Sequence, residues 1–284
     1  IREAIKQGKP VGIAATYGIP LVVPGTRPEI RRLEQEVAQA EEGAEKEELQ
    51  QQLYRLKGLT ETGKPAFQRQ PSDTIRTLLR DYLNEGGQVF IDSGAFTDFR
   101  AGRMTDFVGV FQTYERYSEG VDPGKLKNLY VVAPDVIGDP EETELLQNDF
   151  IKESAALADR NARIIVPVQK GKGSLVETVL RSFSSLREYW QWETEEGWTE
   201  PVIGVAYEEE SWGKEEVVDF IKAYEGIGVD EDTHFDLHEI FGAPPTIHLL
   251  GGGSQKVQDI EEAVGGTEVT IQGDSLFKGA SRRK

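Results

Sequence analysis

The 284-residue chain has no cysteine, a single methionine, and no apolar run near the roughly 18 residues that a membrane-spanning helix needs. The missing cysteines exclude disulfides, thiolate nucleophiles and Cys-ligated zinc. Met104 is the only methionine, so a processed or trimmed chain is expected. The first residues are polar and lack an apolar signal-peptide core, which leaves a soluble cytoplasmic protein without a membrane partner as the expectation. Positive charge is also scarce. Fifty Asp plus Glu stand against 32 Lys plus Arg, a formal charge of −18. That balance opposes non-specific nucleic-acid binding, so any polyanionic substrate must find a local basic patch.

What is present is a regular rhythm. Apolar stretches of strand length at residues 89–91, 129–133, 164–168, 202–206, 246–250 and 268–272 alternate with helical patterns near 104–118, 140–159, 174–190, 213–227 and 254–264. A further helix runs from Asp73 to the Gly86-Gly87 stop. Two earlier apolar stretches, 11–15 and 19–24, flank a Tyr17-Gly18 turn. The alternation predicts parallel strands with crossover helices, and eight strands would close a (β/α)8 TIM-type barrel in one α/β domain. Residues 28–58 interrupt the rhythm. Ile30, Leu33, Val37, Ala40, Leu49, Leu53 and Leu56 follow helical spacing, broken at Glu42-Gly43, so a charged helical hairpin inserted in the barrel is expected. Residues 64–72, 191–200 and 228–245 read as loops.

The stretch Val89-Phe90-Ile91-Asp92-Ser93-Gly94-Ala95-Phe96 organises the rest. Three β-formers run into an acid and a glycine that permits a sharp turn. A carboxylate at the C-terminal end of a buried strand is where α/β barrels keep their chemistry, although an Asp there also serves as a helix cap. Polar or glycine residues recur at the other strand ends: Asp135, Gln169, Gly204, Gly251 and Asp274. In a barrel these ends share one face, and converging polar groups mark a pocket. His234 and His238 stand four apart with Asp232 and Glu239 nearby, but no known metalloenzyme motif includes them. Surface or core histidines are the expected reading, and no metal ligands are assigned.

Asp92-Ser93-Gly94-Ala95-Phe96 resembles the Asp-Ser-Gly-small-Phe motif of the tRNA-guanine transglycosylases. Ala133-Pro134-Asp135-Val136-Ile137-Gly138-Asp139, Val166-Pro167-Val168-Gln169, Gly204-Val205-Ala206, His248-Leu249-Leu250-Gly251 and Gln272-Gly273-Asp274-Ser275 follow in that family's order. The wording of the second motif is most similar to the branch that inserts 7-deazaguanines into DNA. The resemblance implies exchange of guanine in nucleic acid for a 7-deazaguanine such as preQ0. Asp274 would be the nucleophile, forming a covalent sugar intermediate, and Asp92 the general acid/base. Asp135, Gln169, Ser93 and the Gly204-Val205 backbone would bind the base, with Phe96 stacked on it. The target base would be flipped or single-stranded.

Two departures sharpen the expectation. The tRNA enzymes carry a zinc site of three cysteines and one histidine, which this chain cannot form, so no cofactor is expected and DNA is favoured over tRNA. Their Gln-Gly-Gly appears here as Gln169-Lys170-Gly171. Lys170, Lys172, Lys278, Arg282 and Arg283 are the candidate phosphate contacts. Partner proteins of a DNA-modification system are the further implied associates. Two other classes remain open: a barrel N-glycosidase or glycoside hydrolase using two of the Asp residues, and a non-catalytic nucleic-acid-binding barrel.

Overall fold

The structure is a computed structural model that describes residues 1–16, 22–63, 72–187, 193–194, 197–198, 202–207, 211–241 and 243–277. In chain order it contains α1 (Arg2–Lys6), β1 (Val11–Ala14), α2 (Arg27–Gln39), α3 (Ala44–Leu56), α4 (Asp73–Asn84), β2 (Val89–Asp92), α5 (Ala95–Arg100) and α6 (Phe107–Ser118). These are followed by β3 (Leu129–Val132), α7 (Pro140–Asp149), α8 (Ile151–Ala158), β4 (Arg163–Val168) and α9 (Leu175–Arg187). A two-residue hairpin, β5 (Glu193–Thr194) and β6 (Gly197–Trp198), precedes β7 (Val202–Ala206), α10 (Lys214–Tyr224), α11 (Glu231–Phe241), β8 (Thr246–Leu250), α12 (Ser254–Val264) and β9 (Thr270–Gly273).

Seven strands form one sheet in the order β1-β2-β3-β4-β7-β8-β9, and every pairing is parallel. The sheet curls into a half-barrel of TIM-like character. It is not the closed eight-stranded barrel expected from the sequence, because β1 and β9 remain edges. The expected second N-terminal strand falls partly on residues 17–21, outside the described residues. Val22 forms an isolated antiparallel bridge to Thr105 and does not extend the sheet.

Side chains alternate across the strands as the pleat requires. Ile13, Val89, Ile91, Val131, Ile164, Val166, Ile203, Val205, Ile247 and Ile271 face the helices in the main core. Phe90, Tyr130, Val132, Ile165 and Val202 face inward and gather around Phe277. Phe277 lies just past β9 yet packs on β1: a Cβ added at Gly12 would come 3.2 Å from its Cβ. Phe277 also meets the rings of Phe90 (5.2 Å) and Tyr130 (5.4 Å). One aromatic side chain therefore spans the gap that an eighth strand would fill.

The hairpin appears where the helical spacing predicts it. Ile30, Leu33 and Leu53 form a separate small core with Val37, Leu49, Leu56 and Met104. A capping box, Thr26 with Glu29, starts α2. Arg31 pairs with Glu142 of α7, which fastens the hairpin beside the C-terminal ends of the strands. The region 228–245 is a correction. It contains α11, whose Leu237, Ile240 and Phe241 are buried at helical spacing behind an Asp230 that accepts from the Thr233 N–H at 2.8 Å. The polar residues between those three positions hide the period.

Replacing Phe277 with Ala is expected to destabilise the protein by about 3–5 kcal/mol, the range for emptying a buried aromatic position. Urea unfolding reads this directly, and a change below about 1 kcal/mol would show that the ring does not hold the two sheet edges.

Candidate active site

The C-terminal ends of the strands surround a cavity of about 310 Å³. Its lining includes Ala14, Phe90, Asp92, Ser93, Phe96, Asp135, Gln169, Tyr207, Leu250, Gly251 and Asp274. That volume is at the lower end of the range for small-molecule pockets. Each polar group arrives by the same route: an apolar strand, then one acid or amide where the strand stops.

Asp92 closes β2. Gly94 follows with φ +83°, and a Cβ there would strike the Thr16 side chain at 2.7 Å. Glycine is thus required both by the left-handed turn and by the approach of the neighbouring segment. Ser93 is buried, and its Oγ accepts from the Ala95 N–H at 3.3 Å. Phe96 lines the cavity while 40% exposed, and the Arg100 guanidinium sits 5.8 Å from its ring centroid.

Asp135 and Gln169 are buried as a pair. Gln169 Nε2 donates to Asp135 Oδ2 at 2.9 Å, and Gly138 N–H donates to Gln169 Oε1 at 3.2 Å. This fixes the amide orientation, with the oxygen toward the loop and the nitrogen toward the acid. Behind them Gln147 Nε2 donates to the carbonyls of Pro134 (3.3 Å) and Pro167 (2.8 Å), tying the ends of β3 and β4 together. Asp139 is a helix cap, accepting from the Glu142 N–H at 2.9 Å.

Asp274 begins a 3-10 turn after β9. Its Oδ2 accepts from the Gly251 N–H and its Oδ1 lies on His248 Nε2, both at 2.8 Å. His248 points inward from β8, is fully buried, and stacks on Phe90 at 5.1 Å.

The carboxylates disturb one another. Burial, then the charge of Asp274, pushes Asp92 up to about 6, against hydrogen bonds from the Gly94 and Ser93 amides. Burial, then the charge of Asp92, pushes Asp135 up to about 7, against the Gln169 bond and the charge of Arg27. Arg27, at the start of the inserted hairpin, is itself lowered, chiefly by burial and partly offset by Asp139 and Asp135. The hairpin therefore contributes a cation to an acidic site.

Asp92, Ser93, Phe96, Asp135, Gln169 and Asp274 thus meet at one cavity. Gly204 and Val205 do not line it. The Gly204 position is filled by Ile165, whose Cγ2 a Cβ would meet at 2.8 Å, and the Val205 side chain faces the helices. Their strand contributes through Ala206 and Tyr207. Lys170 is committed to Glu216 at 2.8 Å and lies over Trp212, and Lys172 is exposed. Lys278, Arg282 and Arg283 lie outside the described residues. His238 Nε2 lies 3.0 Å from the Tyr224 carbonyl, with its ring on that tyrosine, and His234 packs edge-on against it. Among the described residues no group of three or more His, Asp or Glu is placed to hold a metal. Sequence reasoning missed Arg27, Tyr207 and the role of His248. The last was visible as an inward position in strand alternation, two residues before the strand end.

No family model, curated protein or solved structure matches the chain.

The raised acids make a prediction that needs no assumption about function. An acid whose folded pKa exceeds its unfolded value favours the folded state only while protonated, so stability is lost as pH rises from about 4 through about 7. Asp135→Asn keeps an acceptor for Gln169 and removes that cost. It is expected to be more stable than the parent by about 2–4 kcal/mol at pH 8 and no more stable at pH 4. Thermal melts at the two pH values check this, and an equal difference at both would refute the burial of a titrating Asp135.

Proposed function

We propose that the protein is a guanine transglycosylase that exchanges guanine in DNA for a 7-deazaguanine. The observation that carries this reading is the arrangement of the three acids. Asp274 is held by the Gly251 N–H and His248 Nε2 at a cavity wall, Asp92 is raised by burial and by the charge of Asp274, and Asp135 is paired with an amide on the same cavity. A hydrolase would share the first two features, but the buried Asp135–Gln169 pair adds an edge suited to a base. A carboxylate can accept from a purine N1–H and its exocyclic amine together, and an amide supplies the complementary donor and acceptor.

In this reading Asp274 attacks C1′ of the target nucleotide. The C1′–N9 bond breaks, its electron pair leaves with guanine, and Asp92 donates the proton that neutralises the leaving base. A sugar ester of Asp274 remains. The incoming deazaguanine gives its N9 proton to Asp92, N9 attacks C1′, and the Asp274 carboxylate is released. An acid near 6 can perform both transfers around neutral pH. Phe96 stacks on the base plane, and Asp135 reads its edge. Because Asp135 is raised toward 7, it accepts from N1–H only after losing its own proton, so base binding releases a proton in acidic buffer.

DNA is favoured by the Ala133-to-Asp139 wording and by a chain without cysteine for the zinc site of the tRNA enzymes. The nucleic acid enters against the acidic net charge, past Arg27, whose charge acts on Asp135, and Arg100, which lies over Phe96. Proteins of a DNA-modification system are the proposed partners in bringing duplex DNA to it.

The test is exchange of radiolabelled guanine or preQ0 into duplex DNA, single-stranded DNA and tRNA, offered separately. Label should enter DNA. Asp274→Asn should lower turnover by at least about a thousandfold, as loss of a catalytic nucleophile does, with base affinity retained in calorimetry. Base release without label incorporation would replace exchange with hydrolysis. Absence of both turnover and purine binding would end the reading.

A further inference from the structure

The buried surroundings of His248 carry more than a hydrogen bond to Asp274. Its ring is fully buried, stacked on Phe90 and 5.9 Å from the Phe277 centroid. Its parallel neighbours in register are Gly204 of β7, which has no side chain, and Gln272 of β9. Two buried polar atoms in this layer have no hydrogen-bond partner among the described residues: His248 Nδ1 and Gln272 Nε2. The two residues stand in register on adjacent strands, whose backbones are about 5 Å apart, with side chains on the same face. Arg163 joins the same aromatic cluster but is bonded to the Tyr130 hydroxyl at 2.9 Å. Asp274 is the charged group that His248 touches, and Asp92 is raised in part by the charge of Asp274.

We propose that His248 is the positioning residue for Asp274, held as the neutral Nε2–H tautomer by the Gln272 amide on the next strand. An ionised Asp274 only accepts, so the proton between them belongs to Nε2. At the other end an amide N–H and an imidazole lone pair are complementary; the two are not bonded to each other directly, and one buried water between them satisfies both. A second proton on Nδ1 would set two donors facing one another between aromatic rings, and a buried donor without an acceptor costs about 1–3 kcal/mol. Asp274 is therefore oriented by two neutral donors, Nε2–H and the Gly251 N–H. It is aimed without an ion pair that would draw charge away from the attacking oxygen. This deepens the reading of Asp274 as nucleophile and rests on it.

The tautomer can be read without activity. Nitrogen NMR of labelled protein near pH 7 should show His248 with a pyrrole-type Nε2 and a pyridine-type Nδ1. A doubly protonated ring would overturn the proposal. In the exchange assay with labelled preQ0 and DNA, His248→Phe keeps the stacked ring and loses the donor, and kcat should fall about a hundredfold. Preserved affinity for preQ0 in calorimetry separates this from unfolding, because His248 is not on the cavity lining. His248→Gln, which carries an amide donor, should recover part of that loss. Gln272→Glu places an acceptor opposite Nδ1. It should create an imidazolium, lower kcat about tenfold at neutral pH, and move the rise of activity to more alkaline pH. Unchanged kcat and pH profile in both His248→Phe and Gln272→Glu would reject the positioning role. If the parent protein exchanges no base at all, the transglycosylase reading fails while the NMR result still decides the tautomer.

Discussion

Two buried carboxylates, Asp92 and Asp135, stand at the rim of the sheet beside a half-exposed third, and much of the local architecture answers the cost of their burial and of the neighbouring charge. Each acid has its own compensation. Asp92 takes backbone amides from the turn that Gly94 permits. Asp135 takes an amide and a distant guanidinium. Asp274 takes a backbone N–H and an imidazole. The compensation is incomplete for the first two, and the residue of that cost is what leaves protons available near neutral pH. A site fully neutralised by cations would be more stable and would have no acid to give.

Much of this was legible in the chain. Strand alternation separated the helix-facing residues from the inward ones, and the acid at each strand end followed from where the apolar stretch stopped. The cavity lining at Asp92, Asp135, Gln169 and Asp274 needed only the assumption that parallel strands share one direction. Other features depend on contacts that no local pattern carries. Arg27 meets the site only because a hairpin with its own core docks by Arg31 on Glu142. The pairing of His248 with Gln272 depends on the register of β8 and β9. Gly204 reads as a strand-end residue of the pocket, but the room it leaves is taken by Ile165. The eighth strand expected over 19–24 falls partly outside the described residues, and among those described β1 and β9 remain edges with Phe277 packed from one onto the other.

The inserted hairpin is also more than surface decoration. Its apolar residues form a cluster separate from the main core, so its attachment relies on the Arg31–Glu142 ion pair and on Met104, while Lys57–Glu34 ties its two helices to each other. Its first helical residue nonetheless tunes Asp135. A movement of the hairpin would alter the charge of the cavity without touching its walls.

Asp274 and Phe277 are three residues apart, so one short segment past β9 supplies both a wall of the cavity and the ring packed on β1. Asp92, Ser93, Asp135 and Gln169 all precede this segment in the chain. Its docking completes the cavity and joins β9 to the opposite edge strand at once, so a change that loosens residues 274–277 would alter the pocket and the sheet together.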